Sequence, residues 1–508
     1  MYRLLLLFLL LTGALLPAQQ SVLHPDRPYH AAGEVLRFRA YFPVAVPTKV
    51  RVDVYAPDGR SIDYFFVRTR EGVADGYYRW NFDLPTGYYR LRFTALAAAE
   101  DRIVDLGTFR RAVYNVGDRK ADAADAPAAD ATPVAGDLRV AVADGRLTAT
   151  GLPAGTYSLS VYNTEVTGAA DPLATAGAEV VTAYRDTLFY GGYLSEREGG
   201  GPVAVNLLPF FDTRSLRTYF SKSDDQGRYV LTVPSFEGET RVQARGIGEE
   251  AVQAALRFPD LKAVDATPPL TAEVLAYLDL GNRRRKIYQL YGGVETPLDG
   301  EPRPQAVMPL EPNEAFNVQD YKAFPDMLTF FNEVAGELRY RRRRGELTAR
   351  LYNAPNQRFF TGTPLFIVDG RLTRDVDYVA ALSPADVRTL AYYYDNRELR
   401  RDFPALGGHG VVQIELLRDN GKFPVADADN VLPIRGLQPA QDFARAGDAP
   451  RLNPLLLWDS GTTAGGTLTI DLPRTDDPGT YRAVLVVRDA ATGAVRRGGT
   501  TVAVAASR

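Results

Sequence analysis

From His24 to Val116 apolar and polar residues alternate in short runs separated by turn residues. Val50-Arg51-Val52-Asp53-Val54-Tyr55 has the period of two that sends one side of a strand into a core and the other into water, and Pro57-Asp58-Gly59 turns the chain back. The pattern resumes in Leu138-Arg139-Val140-Ala141-Val142, in Tyr157-Ser158-Leu159-Ser160-Val161, and in Arg228-Tyr229-Val230-Leu231-Thr232-Val233. The period then changes. Between Thr271 and Tyr291, Ala272, Val274, Leu275, Leu278 and Leu280 keep an approximate helical spacing, and a second helix is predicted from Pro325 to Leu338 with Met327, Leu328, Phe331, Val334 and Leu338 on one side. A strand is expected from Glu346 to Asn353.

The stretch Thr363 to Leu416 predicts a small α+β unit. Thr363 to Val368 reads as a strand closed by an Asp369-Gly370 turn, and Ser383 as the N-cap of a helix with Pro384 in its first position. Val387 and Leu390 would face the core, Ala391 to Tyr394 would form a second strand, and the bend Gly407-Gly408-His409-Gly410 would lead into a third. There Val412, Ile414 and Leu416 point one way and Val411, Gln413 and Glu415 the other. The helix Pro325 to Leu338 is expected to pack on the same sheet.

Three similar phrases, Gly87-x-Tyr89, Gly155-x-Tyr157 and Gly479-x-Tyr481, each lead into an alternating strand. In immunoglobulin-like sandwiches a tyrosine so placed buries its ring and bonds its hydroxyl to nearby backbone, so three phrases predict three sandwiches. Residues 117 to 136 are rich in Ala, Asp and Pro and hold almost nothing to bury. The predicted organisation is a signal peptide over 1–18, a sandwich over 19–116, a linker over 117–136 and a β-sandwich region over 137–258. A helical, basic connecting region over 259–345, an α+β module over 346–420 and a C-terminal sandwich over 421–508 complete it. The fold class is mainly β: several immunoglobulin-like or macroglobulin-like sandwiches plus one small α+β module.

Composition narrows the setting. Met1-Tyr2-Arg3, the apolar run Leu4 to Leu10 and the small residues before Gln19 describe a secretory signal rather than a membrane span, so the protein is expected in the periplasm or at the cell surface. The absence of cysteine removes lipid attachment at a lipobox, disulfides and thiolate metal ligands. A formal net charge of -3 gives no reason to expect nucleic acid. No transmembrane segment is expected after signal removal, and the expected partner is a protein of the envelope.

Candidate chemistry is sparse. Histidine occurs only at His24, His30 and His409, and His409, with Asp395 and Asp402 as conceivable partners, lacks a Gly-x-Ser-x-Gly nucleophile motif. No His-Glu-x-x-His motif exists, Glu198-Gly199-Gly200-Gly201 is followed by Pro202 rather than by a phosphate-loop lysine, and Ser223-Asp224-Asp225-Gln226-Gly227 reads as a turn rather than a calcium loop. No enzyme activity, metal or cofactor is therefore expected. The nearest approach to a partner site is two basic runs, Arg283-Arg284-Arg285-Lys286 and Arg341-Arg342-Arg343-Arg344, whose plainer reading is a solvated hairpin flanking a helix end. Tyr392, Tyr393 and Tyr394 could stack sugars or alternate between core and surface of a strand.

The order Pro364-Leu365-Phe366-Ile367-Val368-Asp369-Gly370, Leu382-Ser383-Pro384-Ala385-Asp386-Val387 and Gly407-Gly408-His409-Gly410-Val411 resembles the plug domain of TonB-dependent outer-membrane receptors. Only 92 residues follow Leu416, whereas a barrel of about 22 strands at about 10 residues each needs roughly 220. The resemblance therefore implies a plug without its barrel, serving as a structural or docking module. No TonB box is recognisable, so energised transport is not implied. Asp369, Gly370, Gly408 and Gly410 join the basic runs as binding candidates on this ground. His24-Pro25-Asp26-Arg27-Pro28-Tyr29 with Ala32-Gly33-Glu34-Val35, continuing to Leu84-Pro85-Thr86-Gly87, resembles a macroglobulin-type domain, without the cysteine that covalent protease trapping needs. Residues 205–257 resemble a carboxypeptidase regulatory-like sandwich. Together these imply a non-enzymatic envelope protein that binds or scaffolds; the alternatives are a noncovalent protease inhibitor of macroglobulin type and a glycan-binding accessory protein.

Overall fold

The computed structural model describes residues 20–43, 46–99, 101–120, 136–168, 170–197, 199–246, 252–257, 259–291, 310–343, 345–418, 421–439 and 452–504. The expected signal peptide, most of the expected linker, Glu198 and Arg344 lie outside them. The chain divides into two compact units, Met1–Thr187 with Pro259–Pro302 and Leu437–Arg508, and Leu188–Phe258 with Arg303–Gly436. The fold class is the one the alternation predicts, mainly β with several sandwiches and a small α+β body.

In the first unit a ten-stranded sheet folds over on itself. The strand Ser61–Arg70 makes the fold possible: most of it pairs with Lys49–Tyr55, while Thr69 and Arg70 pair with Val73–Arg79. The enclosed core holds Phe38, Val52, Trp80, Tyr89 and Phe93. Lys49–Tyr55 departs from the half-solvated strand expected of it, because Arg51 and Asp53 are buried as deeply as the valines. Their charges are matched in place: Arg51 Nε donates to Asp53 Oδ1 at 2.7 Å and the guanidinium lies 3.9 Å from the centre of the Tyr64 ring.

A second sandwich of the same unit joins distant segments. Gly155–Asn163 lies between Leu455–Thr463 and Gly479–Asp489, and Arg146–Leu152 between Arg139–Ala143 and Gly466–Asp471. Tyr157 and Tyr481 consequently share one core. The three glycine-tyrosine phrases mark two sandwiches, not three, since a local phrase carries no information about a partner strand some 300 residues away. Two of the tyrosines do staple a corner, Tyr89 Oη donating to Pro85 O at 2.9 Å and Tyr481 Oη to Asp477 O at 2.7 Å, whereas Tyr157 Oη reaches the Asp459 carboxylate. The predicted helix forms as Ala272–Leu290, capped by the Thr271 hydroxyl, and buries Val274, Tyr277 and Leu278 beside Ala31, Tyr114 and Val166.

The second unit contains a third sandwich. One sheet is Leu188–Glu196 between Arg228–Val233 and Val252–Leu256; the other runs Thr218–Ser221, Leu208–Asp212, Glu239–Ala244, Val431–Arg435. The last strand comes from the stretch expected to open the C-terminal sandwich. Asp224 does the work of a turn residue, its carboxylate accepting from the backbone of Gln226 and Arg228.

The α+β body has a five-stranded sheet in the order Glu314–Asn317, Val387–Tyr393, Val411–Leu416, Leu365–Val368, Arg371–Thr373, with Leu365–Val368 parallel to Val411–Leu416. Asp369 and Gly370 both have positive φ and close a two-residue hairpin in which Val368 faces Arg371. The helix expected after Ser383 is only a 3-10 turn over Pro384–Asp386, and Ser383 makes no side-chain cap. Val387 instead opens the strand, because Val387-Arg388-Thr389-Leu390-Ala391-Tyr392-Tyr393 pairs on both sides and suits a sheet better than a helix. The helices are Val376–Ala380 and Asn396–Asp402, capped by Asp375 and Asp395. The helix expected over Pro325 to Leu338 is shorter, Met327–Glu333 capped by Asp326, and Leu338 already starts a strand. It packs on the sheet as expected: Phe330, Phe331 and Leu338 share a core with Phe366, Leu390 and Ile414.

Candidate functional site

On the α+β body, Leu338–Arg343 and Glu346–Asn353 form a hairpin whose free side is extended by Arg358–Phe359. Its inward face is fixed by apolar residues: Leu338, Ala349 and Leu351 are buried. The strand period of two then puts Arg339 and Arg341 on the opposite face together with Thr348, Arg350 and Tyr352, and pairing with Tyr352 brings Phe359 to the same side. Arg339, Arg341 and Arg350 are exposed. The Arg339 guanidinium sits 4.3 Å from the centre of the Phe359 ring, and the Tyr352 and Phe359 rings are 5.1 Å apart. Arg339 stands directly across from Arg350. Among the described residues no carboxylate forms an ion pair with these three arginines; the register places two acids on this face, Glu346 at one end and Glu337, whose carbonyl accepts from Tyr352 N, at the other. Arg342 turns toward the other side and donates to Gly345 O at 3.1 Å.

The other basic run does not form a patch. Arg283 to Lys286 lie within the helix Ala272–Leu290, short of its end, and successive side chains are turned about 100° apart. Arg283 pairs with Asp279 at 2.7 Å, Arg285 lies 5.2 Å from the Phe82 ring, and Lys286 is exposed. Arg284 is buried against Tyr277, 4.0 Å from Glu34. Tyr277 Oη also donates to Glu34, the backbone N of Ala31 donates to the same carboxylate at 2.8 Å, and Arg27 approaches it at 3.4 Å. Burial alone would raise the Glu34 carboxyl; Arg27 and Arg284 bring it below its ordinary value. The run thus lies inside a helix rather than at its end and encloses Arg284, while Arg283 and Lys286 are solvated as expected.

Gly370 and Gly410 and the three tyrosines singled out from sequence are packed against neighbouring segments. A Cβ on Gly370 would stand 2.2 Å from Thr213 O and one on Gly410 2.6 Å from Leu351, whereas Gly408 faces open space. The Asp369 carboxylate accepts from Leu416 N at 2.8 Å and ties two strands together. Tyr392, Tyr393 and Tyr394 are all buried, so the sugar-stacking reading of them fails: helices and loops cover both faces of their strand. Next to the glycine bend lies an open pocket of about 340 Å³ whose polar side chains are Asn396 and Arg400 over Leu399 and Phe403.

The histidines are placed differently from what sequence reasoning weighed. His409 rests against Gly362, while Asp395 caps a helix and Asp402 is held by Arg401. His24, by contrast, is fully buried between two serines, Nδ1 at 2.6 Å from Ser158 Oγ and Nε2 at 3.0 Å from Ser160 Oγ, with Tyr41 Oη 2.6 Å from Ser158 Oγ. Burial pushes this imidazole down to about 3. His30 bonds to Asp26 at 2.9 Å, and burial lowers it as well. The Ser158–His24 contact has the spacing of a nucleophile and base, yet both residues are wholly enclosed and no substrate can reach them. No sequence signal foretold it, because the strands carrying the two residues are 134 positions apart.

Among the described residues no cluster of three or more acidic or histidine side chains could hold a metal, and no helix is long and apolar enough to cross a membrane. No protein-family profile and no curated protein sequence matches the chain. Solved structures similar to it include Escherichia coli alpha-2-macroglobulin activated by porcine elastase, at 10% identity and a TM-score of 0.24, covering 96% of this chain and 44% of that one. Salmonella alpha-2-macroglobulin reacted with methylamine aligns at 10% identity and a TM-score of 0.24, with 40% of its length covered. A tetra-tandem repeat from the extending region of a large adhesion protein aligns at 12% identity and a TM-score of 0.14, covering 96% and 99% of the two chains. The chain spans less than half the length of those macroglobulins, and at these scores the likenesses carry no argument about what it does.

Proposed function

We propose that this protein is a non-enzymatic binding or scaffolding component of a cell envelope that docks on its partner through the α+β body. The observation that carries the reading is the outward face of the arginine hairpin, where Arg339, Arg341 and Arg350 are displayed on a backbone fixed from below by Leu338, Ala349 and Leu351. A rigid, cationic, water-facing surface on a packed core is what a recognition element requires. The resemblance of residues 363–416 to a receptor plug and the expected export signal support an envelope setting. The enclosure of His24 and His30 supports a role without chemistry.

Co-sedimentation of the purified full-length protein with washed outer-membrane fractions tests the reading. Retention of wild-type protein that is lost in the double variant Arg341→Glu with Arg350→Glu is the expected result. No retention in any fraction, or turnover of hydrolase substrates by the pure protein, would defeat it.

A further inference from the structure

The face just described is more specific than a cationic surface, and its detail points to the class of ligand. Arg339 and Arg350 stand directly opposite each other on adjacent strands, where side chains approach within about 5 Å and like charges destabilise the sheet. Arg341 follows Arg339 on the same face, about 7 Å further along the strand. The three arginines thus form a compact triangle, Arg341 diagonal to Arg350, that a polymer of closely spaced anions would neutralise, each fork offering paired donors to a planar or tetrahedral oxyanion. Beside this cluster the rings of Tyr352 and Phe359 are in tilted contact, with Arg339 held over Phe359. Both rings are half-buried rather than protruding. Their planes are tilted 58° to each other and Arg339 covers Phe359, so Tyr352 is the ring left to stack on a sugar; neither projects as the apolar side chains do with which a protein enters a bilayer.

We infer that this arginine-aromatic face binds a linear anionic polysaccharide, a polymer bearing uronate or sulfate groups, with Arg339, Arg341 and Arg350 meeting its anions and Tyr352 the face of a sugar. The inference rests on the docking function proposed above and gives that surface a ligand. An exported protein meets such polymers outside the membrane, which is why a polysaccharide is favoured over single-stranded nucleic acid, whose bases would also stack on Tyr352.

The test is calorimetric titration of the full-length protein, at low and at moderate salt, with alginate, a uronate polymer, and with heparin, a sulfated one. Single-stranded DNA, inorganic polyphosphate and vesicles rich in anionic lipid serve as the competing ligands. Binding to at least one of the two glycans is expected, weakening with salt. The double reversal Arg341→Glu with Arg350→Glu should weaken it at least tenfold. Tyr352→Ser should weaken glycan binding severalfold while leaving polyphosphate binding within twofold, which a purely electrostatic surface would not show. Should the double reversal misfold, judged by its circular dichroism and melting curve, Arg341→Gln with Arg350→Gln replaces it with the same expectation at reduced size. The inference is overturned if neither glycan binds, if the charge variants bind as wild type does, or if DNA or vesicles bind more tightly than either glycan. Failure here with membrane-fraction retention intact removes the ligand assignment alone; loss of both removes the docking function as well.

Discussion

The first unit encloses its charged and titratable side chains, whereas the hairpin of the second displays them. His24, His30, Glu34, Arg51 and Arg284 all lie within the first unit's packing, each answered by a hydroxyl, a carboxylate, a guanidinium or a ring. Arg339, Arg341 and Arg350 face solvent, and two of them face each other. The difference separates two uses of charge. Enclosed groups fix which segments meet, since an unmatched partner in a dry interior is costly; displayed groups cost the fold little and are free to meet another molecule.

Acid should break the enclosed side of this contrast first. Both buried imidazoles bind a proton more weakly in the fold than in the unfolded chain, so below the ordinary histidine value of 6.5 the unfolded state takes up protons that the fold refuses. Stability is therefore complete above about pH 6.5 and declines as the pH falls toward 3; for His24 alone the loss approaches roughly 5 kcal/mol, by the relation of about 1.4 kcal/mol per pH unit. Asp26, whose carboxyl burial would raise but which His30, Arg27 and Arg37 hold below its ordinary value, adds a loss of the same sign at lower pH. The sequence contains only two tryptophans, Trp80 and Trp458, and both belong to the first unit. Urea titrations followed by their emission at pH 7.5 and pH 4.5 should show a large drop in midpoint, and a midpoint independent of pH would break the account.

Removing one enclosed partner comes next. Arg284→Ala leaves the Glu34 carboxylate short of one of its cations but still beside Arg27, and a cost of about 1–3 kcal/mol is expected, read as the shift in the tryptophan-monitored midpoint. Ser158→Ala deprives both His24 and Tyr41 of a buried hydrogen bond, for which about 1–3 kcal/mol is the ordinary range. A loss under half a kcal/mol would mean that the knot around His24 is incidental.

The displayed side should respond least. Arg341→Ala and Arg350→Ala should change stability by no more than about 0.5 kcal/mol, and Arg350→Ala should act in the stabilising direction because it relieves the repulsion from Arg339. A melting temperature that falls by several degrees in either variant would place these arginines among the structural residues and end the contrast.

Much of the α+β body was legible because its signals are local. Its Asp369-Gly370 turn and strand Val411–Leu416, like the helix Ala272–Leu290 of the first unit, each follow from adjacent residues whose period or turn chemistry admits one conformation. The helix misplaced after Ser383 shows the limit of such signals. Ser383-Pro384 is a fair helix start, yet pairing with Glu314–Asn317 and Val411–Leu416 converts Val387–Tyr393 into a central strand. The same pairing buries all three tyrosines, which alternation alone could not foresee, because a strand covered on both faces need not alternate.

Taken alone, the amino-acid order determined that the chain is rich in strand, that it holds a small mixed body between its sandwich segments, and that two runs of positive charge stand out from a nearly balanced whole. Those properties depend on neighbours a few positions apart. Which strands share a core, which arginine is enclosed and which displayed, and that His24 lies between Ser158 and Ser160 were settled only by tertiary packing. Burial is a property of what covers a residue, and here the cover arrives from segments more than a hundred residues away.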